Sequence, residues 1–224
     1  NGEIYLMIIA IDGPAASGKS SVAKMLASKI YYSHFGTGIM YRAITAYAVD
    51  KNLLENLPIS IIKVLDSINI SFKDNNFNKI LINNSDYSNC YYNTETNKFV
   101  SEISTISEVR NKMLKIQRFV SKNKNIVCEG RDIGTVVFPN ADFKFFLEGS
   151  VECRAKRRFN EVDNNNANIT LNKIKKLLID RDCIDINRKI SPLKKATNAV
   201  LINTTDLKID EVVAIMYEKI KGSI

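Results

Sequence analysis

Short, uninterrupted apolar segments alternate along this chain with segments in which apolar residues recur at helical spacing. Continuous apolar runs are typical of parallel strands that are covered on both faces, and strands that alternate with helices indicate an α/β chain. The predicted strands are YLMIIAI (5–11), NIVCEG (125–130), DFKFFLEG (142–149) and AVLINTT (199–205). The predicted helices cover 19–30, 38–50, 58–68, 95–121, 150–162, 170–183 and a last segment through Ile209, Val212, Val213, Met216 and Ile220.

The pattern changes between residues 69 and 92. Two short strand-like runs, NISFKD and NKILIN, are separated there by Asn and Asp, which favour turns. This segment predicts a small antiparallel insert in an otherwise α/β chain. Further along, DNNNAN (163–168) predicts a polar loop between two helices.

Composition restricts the class of protein. A hydrophobic content of 45% with 25% charged residues is ordinary for a globular chain of 224 residues. We find neither a run of eighteen apolar residues nor a signal-peptide pattern, so we expect a cytoplasmic protein with no membrane partner. The four cysteines are widely spaced and there is one histidine, which argues against a zinc site and for reduced thiols.

The segment after the first predicted strand carries the clearest chemistry. Gly13-Pro-Ala-Ala-Ser-Gly18-Lys19-Ser20 fits the phosphate-binding pattern G-x-x-x-x-G-K-[ST], and it opens a predicted helix. Glycines let backbone N–H groups surround an anion, and the helix N-terminus adds partial positive charge. We expect Lys19 to reach the β- and γ-phosphates of ATP and the Ser20 hydroxyl to bind Mg²⁺.

Among proteins with such a loop, a kinase for a small acceptor fits best. None of the five Asn-Lys pairs has Asp three residues after the Asn, so the guanine motif of GTPases is missing, and there is no S-G-G signature of a transporter ATPase. A kinase needs arginines for the acceptor's phosphate and over the transferred group. Two arginine sets have helical spacing: Arg154, Arg157 and Arg158, and Arg181 with Asp185 and Arg188.

The net charge of +8 leaves two readings open, an extended nucleic-acid surface or an arginine-rich phosphate pocket. The lysines are scattered on predicted helix faces, which favours the pocket. A further candidate is Glu129-Gly130-Arg131-Asp132, at the carboxyl end of a predicted strand, where α/β sheets bind ligands. Glu129 could order the Mg²⁺ shell through water, and Arg131 could hold phosphate.

The motifs together resemble the bacterial cytidylate (CMP/dCMP) kinases over residues 5 to 221. The resemblance is carried by IDGPAASGKSSVAK, TGIMYRAIT, EGRDIGTVVFPNADFKFFLEGSVECRAKRR and RDCIDINRKISPL, of which GRDIGTVVFP is the most specific. The family usually has an acid at the position of Gly36 and a small residue at Ile39, so the chain departs from the pattern there.

The resemblance implies the three-layer fold of P-loop nucleoside monophosphate kinases: a central parallel sheet, a β-rich insert in the monophosphate-binding part, and a mobile lid. It implies a core of 5–35, 125–152 and 184–224, a CMP-binding part of 36–122 with the insert near 69–92, and a lid of 153–183. It also implies Mg²⁺-dependent transfer of the ATP γ-phosphate to CMP or dCMP by a monomer.

The same resemblance assigns residues to three groups. ATP would be bound by Gly13, Pro14, Ala15, Ala16, Ser17, Gly18, Lys19, Ser20, Ser21, Arg154 and Arg158. CMP would be bound by Thr37, Tyr41, Arg42, Ser101, Arg110, Arg131, Asp132, Arg181, Asp185 and Arg188. The catalytic residues would be Lys19, Arg131, Asp132 and Arg157. A kinase for another small acceptor, UMP or shikimate, and a nucleic-acid-binding P-loop ATPase remain as alternatives.

Overall fold

The computed structural model describes residues 6–73, 77–161 and 170–224. The strands are β1 (Ile8–Asp12), β2 (Ser33–Gly36), β3 (Ile70–Phe72), β4 (Ile80–Ile82), β5 (Ser85–Asp86), β6 (Ile126–Gly130), β7 (Phe143–Glu148) and β8 (Val200–Asn203). The α-helices are α1 (Lys19–Lys29), α2 (Gly38–Asp50), α3 (Ile59–Val64), α4 (Thr94–Ile103), α5 (Ser107–Val120), α6 (Val151–Glu161), α7 (Leu171–Asn187) and α8 (Ile209–Ile220). The predicted α/β class is confirmed.

The chain divides into two compact units, 1–34 with 123–224, and 35–122. The first unit contains β1, β6, β7 and β8 of a five-stranded sheet in the order β2-β6-β1-β7-β8. Strand β1 pairs in parallel with both β6 and β7, and β7 pairs in parallel with β8. The core of this unit contains the inner residues of these strands and the facing sides of α1 and α8, including Ile9, Leu26, Phe145 and Met216. The carboxyl ends of the parallel strands therefore lie at one edge.

The second unit contains the predicted antiparallel insert. Strands β3, β4 and β5 form a three-stranded sheet, whose apolar residues contribute to a core in which Phe35 packs against Phe72 and Phe77. The ring centroids lie 5.9 and 5.1 Å apart. Helices α2 to α5 complete this unit.

Three sequence predictions need correction. The helix predicted over 95–121 is two helices, α4 and α5, interrupted at residues 104–106. The helix predicted over 58–68 ends at Val64 and continues as a 3₁₀ turn to Ser67. Strand β2 was not predicted, because its Ser-His-Phe-Gly sequence has no continuous apolar run.

Other predictions agree with the structure. Thr170 caps α7, since its side chain accepts a hydrogen bond from the amide of Lys173, and α7 runs to Asn187, four residues beyond the predicted end. The polar loop predicted at 163–168 lies outside the described residues. No helix among those described is long and apolar enough to cross a membrane. All four cysteines are free thiols.

Candidate active site

The phosphate loop, residues 13–20, connects β1 to α1 in the first unit. Gly13 has no room for a side chain, because a Cβ there would lie 2.2 Å from the carbonyl oxygen of Leu147. Gly18 precedes α1 with φ +85°, a left-handed conformation that glycine adopts without strain. The two glycines thus allow the loop to curl in front of the helix N-terminus, which is a ready-made site for an anion.

Lys19 begins α1 and is buried in the loop. Its Nζ donates a hydrogen bond to the Pro14 carbonyl at 2.9 Å, so the ammonium group closes over the loop. Burial lowers the pKa of Lys19 to about 7, and the charge of Arg131 acts in the same direction, while Glu129 opposes them. Neighbouring carboxylates therefore balance the positive charge of Lys19 only in part, and a buried ammonium group of this kind is well suited to bind phosphate oxygens.

Ser20 and Glu129 provide adjacent oxygen atoms beside the loop. The Ser20 hydroxyl donates to Oε1 of Glu129 at 2.8 Å, which brings the start of α1 to the end of β6. The same carboxylate acts on His34: burial lowers the pKa of the His34 imidazole, whereas the negative charge of Glu129 acts to raise it. A hydroxyl and a carboxylate are ligands that Mg²⁺ prefers, so this pair fits the predicted metal. The described residues contain no cluster of three or more acidic, His or Cys side chains that would hold a metal without substrate oxygens.

A cluster of acidic and basic side chains contains Arg131 and Asp132 after β6, Arg181 and Asp185 on α7, and Arg188 directly after α7. Arg131 Nε lies 2.8 Å from Oδ2 of Asp185, and Arg188 reaches Asp185 at 3.3 Å and Asp132 at 3.5 Å. Burial alone would raise the pKa of Asp185, but the guanidinium groups of Arg131, Arg181 and Arg188 hold it below its usual range. The sequence predicted these five residues as acceptor ligands, and the structure brings all five together.

Asp12, the last residue of β1, fixes the segment after Asp132. Its two carboxylate oxygens accept hydrogen bonds from the amides of Ile133 and Gly134, both at 2.7 Å. These amides open a π-helix over Ile133–Val137. Burial raises the pKa of Asp12 to about 6, although the two amides counteract it. Asp12 was not among the predicted site residues. Its position directly before the phosphate loop is the sequence signal that could have identified it, and in the structure it lies opposite Gly130 of the neighbouring strand.

The three arginines predicted for the lid have different surroundings. Arg154 is buried and donates to the carbonyls of Gly149 and Ala15, both at 2.9 Å, and to Asp182. Arg157 donates to the Thr204 hydroxyl at 3.0 Å and to carbonyls after β8. Arg158 is more exposed and pairs with Glu161 at 3.0 Å. Helical spacing identified the shared element, α6, but not these partners.

The remaining predicted loop residues play smaller parts in the geometry. The Ser17 carbonyl accepts from the Thr204 hydroxyl at 3.3 Å, and the buried Ser17 hydroxyl has no hydrogen-bond partner among the described residues. Ser21 is exposed on α1. Sequence reasoning missed both Asp182 and Thr204. Asp182 stands beside the predicted Arg181, and Thr204 lies in the strand predicted over 199–205, directly after the observed end of β8.

Backbone carbonyls, a side-chain amide oxygen and aromatic rings contact the two predicted arginines of the second unit. Arg42 Nη1 donates to the Tyr91 carbonyl at 2.7 Å and to Oδ1 of Asn97 at 2.8 Å, and its guanidinium lies 4.5 Å from the ring centre of Tyr92. The buried Arg110 donates to the Ser104 carbonyl at 3.1 Å and lies 5.4 Å from the ring centre of Tyr41.

Two further predicted residues of this unit, Thr37 and Ser101, lie at the start of α2 and near the end of α4. Thr37 is buried at the N-terminus of α2, and its carbonyl accepts from the amide of Met40 at 3.1 Å. The Ser101 carbonyl, near the end of α4, accepts from the hydroxyl of Ser104 at 2.7 Å. The Ser104 carbonyl in turn holds Arg110, so the interruption between α4 and α5 positions this arginine.

Comparison with known proteins identifies the family. Residues 9–222 match the family described as cytidylate kinase. A cytidylate kinase of Fusobacterium nucleatum is 42% identical over 96% of this chain and 97% of its own length. Those of Clostridium botulinum strain Langeland and Thermotoga neapolitana are 43% and 40% identical, over 92% and 91% of this chain and 93% and 92% of theirs. The chain belongs to the cytidylate kinase family.

Proposed function

We propose that this protein is a cytidylate kinase, which transfers the γ-phosphate of ATP to CMP or dCMP and forms CDP or dCDP. The observation that carries the proposal is the placement of a phosphate loop and an arginine–carboxylate cluster in one unit, at strand ends of one sheet. The loop supports binding of the donor, and the cluster supports binding of a phosphorylated acceptor. The family relatives named cytidylate kinase support the choice of acceptor.

The reaction needs positioning and charge neutralisation more than acid–base chemistry. An oxygen of the acceptor's phosphate is already anionic near neutral pH, and it attacks the γ-phosphorus in line as the bond to the bridging oxygen of ADP breaks. Lys19 would stabilise the charge on the transferring group, together with Arg131 and Arg157. Ser20 and, through water, Glu129 would hold Mg²⁺, which when bound supplies further neutralisation of the phosphates.

We propose acceptor-binding residues within each unit, considered separately. In the second unit Arg42 would approach the CMP phosphate, Thr37 and Tyr41 would line the site, and Ser101 and Arg110 would contact the cytosine end. In the first unit Asp132 would also contact cytosine and Arg131 would face phosphate. Arg181 and Asp185 would approach the sugar, and Arg188 would complete the acceptor pocket. Segment 153–183 would act as the lid over ATP. We propose that the enzyme works as a cytoplasmic monomer.

The acceptor preference is the decisive test. A coupled assay with Mg²⁺ and ATP measures ADP release for each acceptor. We expect kcat/KM to be at least ten times higher with CMP or dCMP than with UMP, AMP, GMP or shikimate. A reaction without acceptor measures ATP hydrolysis. Preference for UMP or shikimate would contradict the proposal. ADP release that is independent of acceptor and stimulated by DNA or RNA would favour the nucleic-acid-binding ATPase.

A further inference from the structure

The peptide groups on both sides of Ala15, inside the phosphate loop, are held by one buried ion pair. Asp182 on α7 accepts a hydrogen bond from the Ala15 amide through Oδ1 at 3.1 Å, and Arg154 on α6 donates from Nη1 to the Ala15 carbonyl at 2.9 Å. The same Nη1 lies 2.6 Å from Oδ2 of Asp182. The loop residue, the arginine and the carboxylate therefore form a closed ring of hydrogen bonds.

Apolar packing reinforces this contact. Ala15 and Ala16 pack against Ala155 of α6 and against Ile174 and Leu178 of α7. Ala16 has φ +57°, a left-handed conformation that residues with a Cβ adopt only where their surroundings impose it. The shape of the loop between its two glycines is thus held by α6 and α7, the helices on either side of residues 162–169.

The charges in this ring explain why both partners are present. A buried carboxylate next to an anion-binding loop would repel a triphosphate, and an unpaired buried charge is costly in itself. Arg154 is 4% exposed and Asp182 is 8% exposed, so water does little to screen either of them. The paired arrangement lets Asp182 hold the Ala15 amide without adding net negative charge beside the bound nucleotide.

Helix α7 also carries the acceptor cluster. Asp185 follows Asp182 by three residues, so both project from one face of the helix, and Asp185 binds Arg131 and Arg188. One helix therefore holds the phosphate loop through Asp182 and two arginines of the acceptor cluster through Asp185.

We propose that Asp182 is a positioning residue for the ATP site, and that Arg154 serves to neutralise Asp182 rather than to contact the triphosphate. Asp182 fixes the Ala15 amide in the conformation that binds phosphate. Arg154 neutralises the negative charge of Asp182, which would otherwise repel the triphosphate. The proposal rests on the proposed function only in taking ATP as the donor. It assigns Arg154 a different role from the direct ATP contact that the family resemblance implies.

Four variants and a control test this assignment. The variants are Arg154→Met, Asp182→Asn, the double variant, and Arg154→Lys in case the methionine variant does not fold; the control is Asp180→Asn, which alters an exposed carboxylate on the same helix. The readout is the Kd for Mg²⁺ with the non-hydrolysable ATP analogue AMP-PNP, measured by calorimetry. Because no acceptor is present, the result does not depend on whether CMP is the acceptor.

We expect Asp182→Asn to weaken binding three- to fivefold and Arg154→Met at least tenfold, since the latter leaves an unpaired carboxylate beside the phosphates. The double variant should bind at least three times more tightly than Arg154→Met alone, and Asp180→Asn should stay within twofold of the unmodified protein. Arg154→Lys keeps a positive charge beside Asp182 but loses the second nitrogen, which in Arg154 donates to the Gly149 carbonyl. It should therefore bind more tightly than Arg154→Met and more weakly than the unmodified protein.

Three results would overturn the proposal. If the double variant binds no more tightly than Arg154→Met, Arg154 contacts the triphosphate directly. If Asp182→Asn binds as tightly as the unmodified protein, Asp182 does not position the loop; if Arg154→Lys binds no more tightly than Arg154→Met, a positive charge beside Asp182 is not what the site requires. A variant that merely lost folded protein would lower the number of sites in calorimetry without changing Kd, so a structural defect is distinguishable from a positioning one.

Discussion

Arg131 and Arg188 in the first unit both contact Asp185, whereas Arg42 and Arg110 in the second unit contact carbonyls and aromatic rings. The two surroundings have different consequences for binding an anion. A carboxylate positions a guanidinium and also cancels its charge, so a phosphate must compete with Asp185 for those arginines. A ring face or a carbonyl positions a guanidinium and leaves its formal charge in place. We expect single arginine replacements in the second unit to act selectively on the acceptor, because the phosphate loop lies in the first unit.

The largest effect is expected at Lys19, where the first unit holds a buried cation on a backbone carbonyl. Lys19→Met should reduce kcat about a thousandfold, because it removes a charge from the transferring phosphate. The coupled assay measures the loss, and circular dichroism should show an unchanged fold. Lys24→Met, which alters an exposed lysine on the same helix, is the control. Turnover near that of the unmodified protein would show that Lys19 does not bind the transferred phosphate.

A smaller and selective effect is expected at Arg110. Arg110→Met should raise the KM for CMP about thirtyfold and the KM for ATP less than threefold, because the second unit lacks the loop that binds ATP. Initial-rate kinetics with each substrate varied in turn measures both values. Lys115→Met, at an exposed position of the same helix, should change neither. Equal increases in both KM values would remove Arg110 from the acceptor site.

The smallest effect concerns the stability of the first unit as a function of pH. In the folded protein the pKa of Lys19, about 7, lies below the ordinary lysine value of 10.5, so the unfolded chain binds more protons between these pH values. Stability should therefore rise with pH in this window, by about 1 kcal/mol between pH 7 and 8.

Urea unfolding of the unmodified protein and of Lys19→Met at the two pH values isolates this contribution, because other groups titrate in both proteins. The difference in unfolding free energy between them should shift by that amount in favour of the unmodified protein at the higher pH. An identical pH dependence in the two proteins would mean that the pKa of Lys19 is not lowered by folding.

The sequence predicted those features whose information is local. The phosphate loop, the alternation of strands and helices, and the insert follow from contiguous residues, and each has a pattern of its own. The helix predicted over 95–121 failed because its apolar spacing continues across residues 104–106. The interruption becomes apparent only in the structure, in which the Ser104 carbonyl accepts a hydrogen bond from the Arg110 side chain.

Partner choice in the site could not be predicted from spacing. The positions of Arg154, Arg157 and Arg158 place them on one helix, but the chain segments that they contact are 139 residues away for Ala15 and 47 residues away for Thr204. The π-helix after Asp132 likewise depends on Asp12, 121 residues earlier. Such contacts depend on which strands become neighbours in the sheet, and the order of the strands cannot be read from a local sequence pattern.

The hydrogen bonds from Ile133 and Gly134 to Asp12 have a consequence for the entropy of binding. They anchor the segment that follows Arg131 and Asp132 to a central strand through contacts made within the protein itself. A loop that is ordered only by its ligand loses conformational freedom at the moment of binding, which weakens affinity. Here that loss is incurred when the protein folds, so the acceptor meets a surface whose shape is already set.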